Sequence, residues 1–235
     1  AIALSWMAGE LIFRWTALPR IAVYAPWSGT KNEGWLRWVL DEFGVPFTTL
    51  RNEGVRAGAL DELFDVIVLP SLGGWSLDGG RSPGSVPERY ERGLDPEGAI
   101  ALEEFVRGGG RLVTMQSSAT WATELFDLDL VEVTRGEGDF SCPGSVLRAV
   151  PGEGPLAAGL DPSVPIFFSR GLAWEVPDDD AFETPLRYAP TRVLYSGFLE
   201  GEQVIADRAA WIRAAYGEGC VDLFGFRPQY RSWSA

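Results

Sequence analysis

The stretch Arg20 to Pro70, RIAVYAPWSGTKNEGWLRWVLDEFGVPFTTLRNEGVRAGALDELFDVIVLP, switches repeatedly between two periodicities. Arg20 to Trp27 is a short β-rich apolar run, and the polar turn Ser28 to Glu33 separates it from Gly34 to Phe43. There the apolar residues fall at positions 35, 36, 39, 40 and 43, which is helical spacing. Gly44 suits the left-handed position that ends a helix. A second strand is predicted at Pro46 to Leu50, a helix at Val55 to Phe64, and a third strand at Asp65 to Pro70. Strand, helix, strand, helix, strand is the pattern of parallel strands joined by right-handed crossovers. It predicts an α/β fold with a doubly wound, mostly parallel sheet.

Working outward, Ser71 to Asp95 is rich in Gly, Ser, Pro and Arg and longer than an ordinary connection, so it reads as a functional or mobile loop over the strand ends. Pro96 to Val106 reads as the next helix, with Pro where a missing donor does no harm. Gly108, Gly109 and Gly110 break it, and Arg111 to Met115 (RLVTM) reads as a fourth parallel strand. From about residue 127 the texture becomes β-rich, with short strands predicted at Leu130 to Thr134, Ser145 to Val150, Ile166 to Ser169, Thr191 to Ser196 and Cys220 to Phe226. A helix is expected at Ala206 to Tyr216. Residues 1–19 read as a lead-in and residues 20–235 as one domain with a β-rich C-terminal extension. No repeat or linker divides it further.

Composition narrows the functional classes. With 46% hydrophobic and 12% aromatic residues the 235-residue chain has ample material for a core. A net charge of −13, from 33 acidic and 20 basic residues, disfavours nucleic acid and anionic membranes as partners. All the basic residues except Lys31 are arginines, a skew that a GC-rich genome would produce. There is no histidine, so no Ser-His-Asp or Cys-His-Glu relay can be assembled and hydrolytic zinc chemistry lacks its usual ligands. Cys142 and Cys220 are far apart in sequence and read as separate thiols. The opening AIALSWMAGELIFRW carries Glu10 and Arg14, which fits neither a membrane span nor a signal peptide. No cofactor motif or metal-ligand spacing is present, because the glycine pairs and Gly108 to Gly110 do not open a helix as a phosphate loop must.

The bend in RLVTMQSSATWATEL, Arg111 to Leu125, is where a hydrolase or amidotransferase of this architecture holds its nucleophile above a helix N-terminus. Gln116 best matches that elbow position, with Ser117 and Ser118 following. Gln cannot attack, and Ser117 would need a base other than histidine, so a degenerate elbow is expected, with Ser117 and Ser118 capping the helix. Trp27, at the end of the first strand, is expected to face the crevice where open sheets bind ligands. The pair Glu103 and Glu104 and the run Asp178 to Asp180 read as solvated carboxylates. Arg227 reads as a tie between the last strand and the turn after it, or as a holder of an anion.

Several segments together resemble a known family: PRIAVYAPW, EGWLRWVLDEFGVPFTTL, LDELFDVIVLPS, GGRLVTMQSSA, FSCPGSVLR, LYSGFLEGE and CVDLFGFRPQYR. From Leu18 to Ser232 the chain resembles the C-terminal domain of bacterial zinc-carboxypeptidase-like proteins, a domain similar to class I glutamine amidotransferases and flavodoxin-like in fold. The resemblance implies a zinc-peptidase domain elsewhere in the same protein, an exported or periplasmic location, and a chain that is a piece of something longer. It carries over no catalytic residue, since Gln116 or Ser117 stands where the amidotransferase cysteine would be and the histidine is missing.

Three functions follow as expectations. One is a non-catalytic accessory domain for interaction, substrate positioning or binding of a small molecule or peptide. Another is a Ser117 hydrolase with Glu33 or a loop aspartate as base. The third is a stand-alone sugar or metabolite binder, with Trp27, Gln116, Ser117 and the loop Ser71 to Asp95 lining its crevice.

Overall fold

The computed structural model describes residues 18–135 and 140–230, so nearly all of the expected lead-in, residues 1–19, lies outside the described residues. The N-terminal half alternates strands β1 (Ile21–Tyr24), β2 (Thr48–Leu50), β3 (Val66–Leu69) and β4 (Arg111–Met115) with helices. Helix α1 is Lys31–Glu42, α2 Asn52–Arg56, α3 Leu60–Leu63, α4 Gly74–Asp78, α5 Asp95–Arg107 and α6 Ser117–Leu125. The strands run parallel in the order β2-β1-β3-β4, and the last strand of the chain, β12 (Gly219–Phe224), adds in parallel beside β4.

Both faces of this parallel part are covered, as its apolar strands require. Leu36 of α1 is buried against Val23, Val68 and Met115 on one face. Helices α5 and α6 bury Leu102, Phe105, Trp121 and Ala122 with Ile67, Leu69, Leu112, Val221 and Leu223 in the other layer. Thr30 caps α1 by accepting from the Asn32 amide at 3.2 Å. The single helix expected over Val55 to Phe64 is instead the pair α2 and α3, because Gly58 and Ala59 both adopt positive φ, 74° and 51°, and interrupt it.

The long segment after β3 carries α4 and a 3-10 turn at Glu88–Tyr90 and is pinned down at several points. The buried Asn52 side chain donates to the Arg92 carbonyl at 2.8 Å, and Trp121 Nε1 donates to Asp78 at 2.6 Å.

The C-terminal half corrects the expectation of a mostly parallel sheet. Strands β5 (Val131–Glu132), β6 (Ser145–Pro151), β7 (Val164–Phe168), β8 (Trp174–Glu175), β9 (Phe182–Tyr188), β10 (Leu194–Ser196) and β11 (Ala209–Tyr216) all pair antiparallel. They continue the same sheet beyond β12 in the order β12-β11-β9-β6-β10, so the described residues form a mixed sheet of 12 strands. The helix expected at Ala206 to Tyr216 is strand β11, with only a short helix α7 (Glu202–Ile205) before it. Tertiary pairing overrides alanine's helical preference here: β11 lies between β9 and β12 and supplies ladder bonds to both. Ala210, Ile212 and Ala214 are buried while Trp211, Arg213 and Ala215 alternate with them, the period of a strand. A second core fills this half with Leu147, Ile166, Phe168, Tyr188, Val193 and Phe226. Cys142 and Cys220 are separate free thiols. Among the described residues, no helix is long and apolar enough to cross a membrane.

Candidate functional site

The crevice forms where parallel strands end. Strand β1 has β2 on one side and β3 on the other, and open α/β sheets place ligands outside the carboxyl ends near such a reversal. At the end of β4 the chain turns abruptly. Gln116 takes φ 49° and ψ −116°, a costly conformation for a residue with a Cβ, and α6 begins at the next residue. This is the geometry of a nucleophile elbow. The turn is held by the Gln116 amide donating to the Phe224 carbonyl at 2.7 Å and by the Gln116 carbonyl accepting from Ala119 and Thr120 at 2.7 and 3.1 Å.

A nucleophile at an elbow stands exposed, whereas the Gln116 side chain is turned inward, 4% exposed and fully engaged. Its Oε1 accepts from Ser71 Oγ at 3.1 Å, and its Nε2 donates to the carbonyls of Ser169 and Arg170, the latter at 3.0 Å. One amide therefore joins the loop after β3 to the loop after β7. The expected capping role of the two serines is not what they perform: Gln116 is the N-cap residue and makes no side-chain cap. Ser118 is fully buried, its Oγ donating to the Pro70 carbonyl at 2.6 Å and accepting from the Leu72 amide at 3.0 Å. It binds the β3 loop to α6, because the turn at Gln116 sets its hydroxyl against that loop.

Arg227 extends the network across the mouth of the crevice. Its guanidinium donates to Asn32 Oδ1 at 3.1 Å and to the Ser169 carbonyl at 3.3 Å and lies 4.0 Å from the Tyr230 ring. Asn32 in turn donates to the Ser71 carbonyl at 2.8 Å. Arg227 thus ties the end of β12 to the turn after it, the first of its two expected roles, and to α1 as well.

The four residues proposed from the sequence have different partners. Gln116 and Ser117 are neighbours by necessity, but Trp27 donates from Nε1 to Glu53 at 3.0 Å and packs against Tyr90 and the Arg51 guanidinium. Glu33 is held by Arg37 four residues on, so its carboxylate is occupied within its own helix. Ser117 is half-buried and lines a separate hollow of about 440 Å³ with Thr134, Arg135, Ser141, Cys142 and Arg170 among its walls. Burial pushes the Cys142 thiol above its ordinary pKa, so it is a protonated thiol there and not a thiolate. Sequence reading missed Asn32 and Arg170, and included Ser71 only as the first residue of the long loop. A polar residue just past an apolar strand was the only local signal for Ser71.

No protein-family profile matches the sequence, and no curated protein does either. Solved structures do match. A chain of PurLQS from Thermotoga maritima superposes with a TM-score of 0.55 at 16% identity, over 90% of this chain and 89% of that one. A ThuA-like protein from Bacteroides uniformis gives 0.51 at 9% identity, over 92% and 85%. A β-galactosidase from Bacillus circulans gives 0.53 at 15% identity over 88% of this chain, but only 28% of its own length takes part. At such identities the likeness is one of fold, and the fold is that of a glutamine amidotransferase-like α/β domain of the kind ThuA-like proteins also have.

Proposed function

We propose that this chain is a non-catalytic, amidotransferase-like accessory domain of a zinc-carboxypeptidase-like protein, serving in interaction, substrate positioning or small-ligand binding. The observation that carries the reading is Gln116: an elbow residue that cannot attack, buried and spent on three hydrogen bonds between two loops. Two others support it. With no histidine in the chain and Glu33 paired with Arg37, neither an imidazole nor a free Glu33 carboxylate serves Ser117 as base. The same fold also occurs as 28% of a larger β-galactosidase chain, a precedent for such a domain riding within an enzyme.

The test is turnover by the purified chain. Glutamine, peptides and esters should all be left intact, and a fluorophosphonate should leave Ser117 unlabelled. Hydrolysis abolished by Ser117→Ala would overturn the reading in favour of a serine hydrolase. The parentage has its own test: the native gene product should have an intact mass well above the 25.7 kDa of this chain. A native product of that mass would remove the peptidase partner while leaving the non-catalytic reading in place.

A further inference from the structure

We propose that the hollow at the carboxyl ends of β1, β2 and β3 binds one pyranose sugar unit, with the Trp75 indole as its platform. The inference rests on the small-ligand branch of the proposed function and names the ligand class. Position is the first argument. Helix α1, which follows β1, packs on one face of the sheet, whereas Val55, Leu60 and Leu77 of the helices that follow β2 and β3 join the core on the other. Chain segments leaving β1 and β3 therefore part to opposite faces, and the gap between them is where open α/β sheets take ligands. Three strand ends supply the wall: Pro26 and Ser28 follow β1, Asn52 follows β2, and Trp75 and Ser76 follow β3.

The wall is firmly held. The Arg92 amide donates to the Arg81 carbonyl at 3.0 Å and the Leu94 amide to the Leu77 carbonyl at 2.6 Å, which closes the neck of the loop that brings Arg81, Tyr90 and Arg92 to the hollow. A Cβ on Gly80 would run into the Arg92 carbonyl, and one on Gly93 into that of Asp78, so at this neck backbone lies directly on backbone. Asn52, 3% exposed, is fixed by accepting from the Tyr24 hydroxyl and by donating from Nδ2 to the Arg92 carbonyl. Its amide carries a second N–H for a ligand. Trp27 braces Tyr90 edge-on at 5.2 Å, so it supports this wall without lining it.

The chemistry of the wall selects the ligand. Trp75 is 73% exposed, a flat apolar face at the lip of a hollow whose polar groups are hydroxyls, an amide and two guanidiniums. A sugar ring has the matching surfaces: C–H faces that lie against an indole, and a rim of hydroxyls that both accept and donate. Asp95 at 2.7 Å and Glu97 at 3.4 Å already answer the charge of Arg92, which favours a neutral hydroxylated ligand over an anion at that guanidinium. The hollow measures about 120 Å³, well below the ~300 Å³ at which sites for drug-sized molecules begin. It suits a single ring seated by its edge, with its face on Trp75.

Saturation-transfer NMR titration of the whole chain with the methyl glycosides of glucose, galactose, mannose and N-acetylglucosamine tests the proposal. At least one should bind, with a dissociation constant of about 1 mM and little dependence on salt. Trp75→Ala should weaken that binding about tenfold or more, Trp75→Phe should restore most of it, and Trp38→Ala, at an exposed tryptophan on α1, should change nothing. Because the Trp75 side chain is largely exposed, its loss leaves the fold intact, which an unchanged melting temperature would verify. Binding by none of the four glycosides, or equal binding by wild type and Trp75→Ala, overturns the site. Adenosine binding through Trp75 where no glycoside binds overturns the sugar class in favour of a nucleobase. Each of these failures is distinct from failure of the non-catalytic reading, which shows as turnover lost in Ser117→Ala.

Discussion

Gln116 pairs an unfavourable backbone with a favourable side chain, and the two can be separated by substitution. Gln116→Ala keeps a Cβ at φ 49°, takes the Gln116 amide from Ser71 Oγ and the Arg170 carbonyl, and leaves the Ser169 carbonyl to Arg227 alone. Buried groups stripped of a hydrogen bond cost about 1–3 kcal/mol, so a loss of about 2–3 kcal/mol is expected in urea unfolding. Gln116→Gly loses the same bonds but relieves the left-handed strain, and it should be more stable than Gln116→Ala by about 1 kcal/mol. A Gln116→Ala protein as stable as wild type would show that the amide is not a strut. The elbow itself was legible, because an apolar strand running into small polar residues at a helix start leaves few places for the turn. The strut was not: its acceptors are backbone carbonyls more than fifty positions away, on residues whose side chains say nothing about it.

Between elements, the decisive seam is where the parallel sheet gives way to the antiparallel one, at β12 and β11. Asp222 of β12 is buried, and from β11 it accepts Trp211 Nε1 at 3.0 Å and the Arg213 fork at 3.0 and 2.8 Å. The pairing is cross-strand, Arg213 standing opposite Asp222, so it also fixes the register of the hairpin. Asp222→Ala would leave a mostly buried guanidinium and an indole donor unanswered, for a loss of about 3 kcal/mol in chemical unfolding. A loss below about 1 kcal/mol would place the strength of the seam in its backbone ladder alone. This seam also marks where sequence reading lost its grip. The parallel strands announced themselves as apolar runs between helical periods, whereas β11, with four alanines in eight residues, imitates a helix until its neighbours on both sides are known. Strand β9 passed unnoticed for a similar reason, since Pro185 and the charged Glu183 and Arg187 mask its alternation.

For the molecule as a whole, the missing histidine has a thermodynamic consequence apart from catalysis. No side chain ordinarily titrating near pH 6.5 is present, so no imidazole changes charge through the neutral range. The alkaline side is different. Burial raises the pKa of Tyr24 and of Tyr188, whose hydroxyls donate to Asn52 Oδ1 at 2.9 Å and to the Leu172 carbonyl at 2.8 Å. Their folded values stand above the unfolded one, so the stability they contribute is fully present below about pH 10 and is lost as pH rises toward the folded values. While only the unfolded chain ionises, each such tyrosine removes about 1.4 kcal/mol per pH unit. On the acid side, the Tyr216 hydroxyl and Arg107 hold Glu103 below its ordinary range, and Arg20 does the same for Asp65. That stability is present above about pH 4 and lost as pH falls, but both groups are largely solvated and the loss is small. Melting temperature should therefore be flat between about pH 6 and 8 and fall steeply above about pH 10. Tyr188→Phe should make the alkaline fall shallower by about 1.4 kcal/mol per pH unit, and an alkaline limb unchanged in that variant would mean that the buried phenols are not what unfolds the protein there.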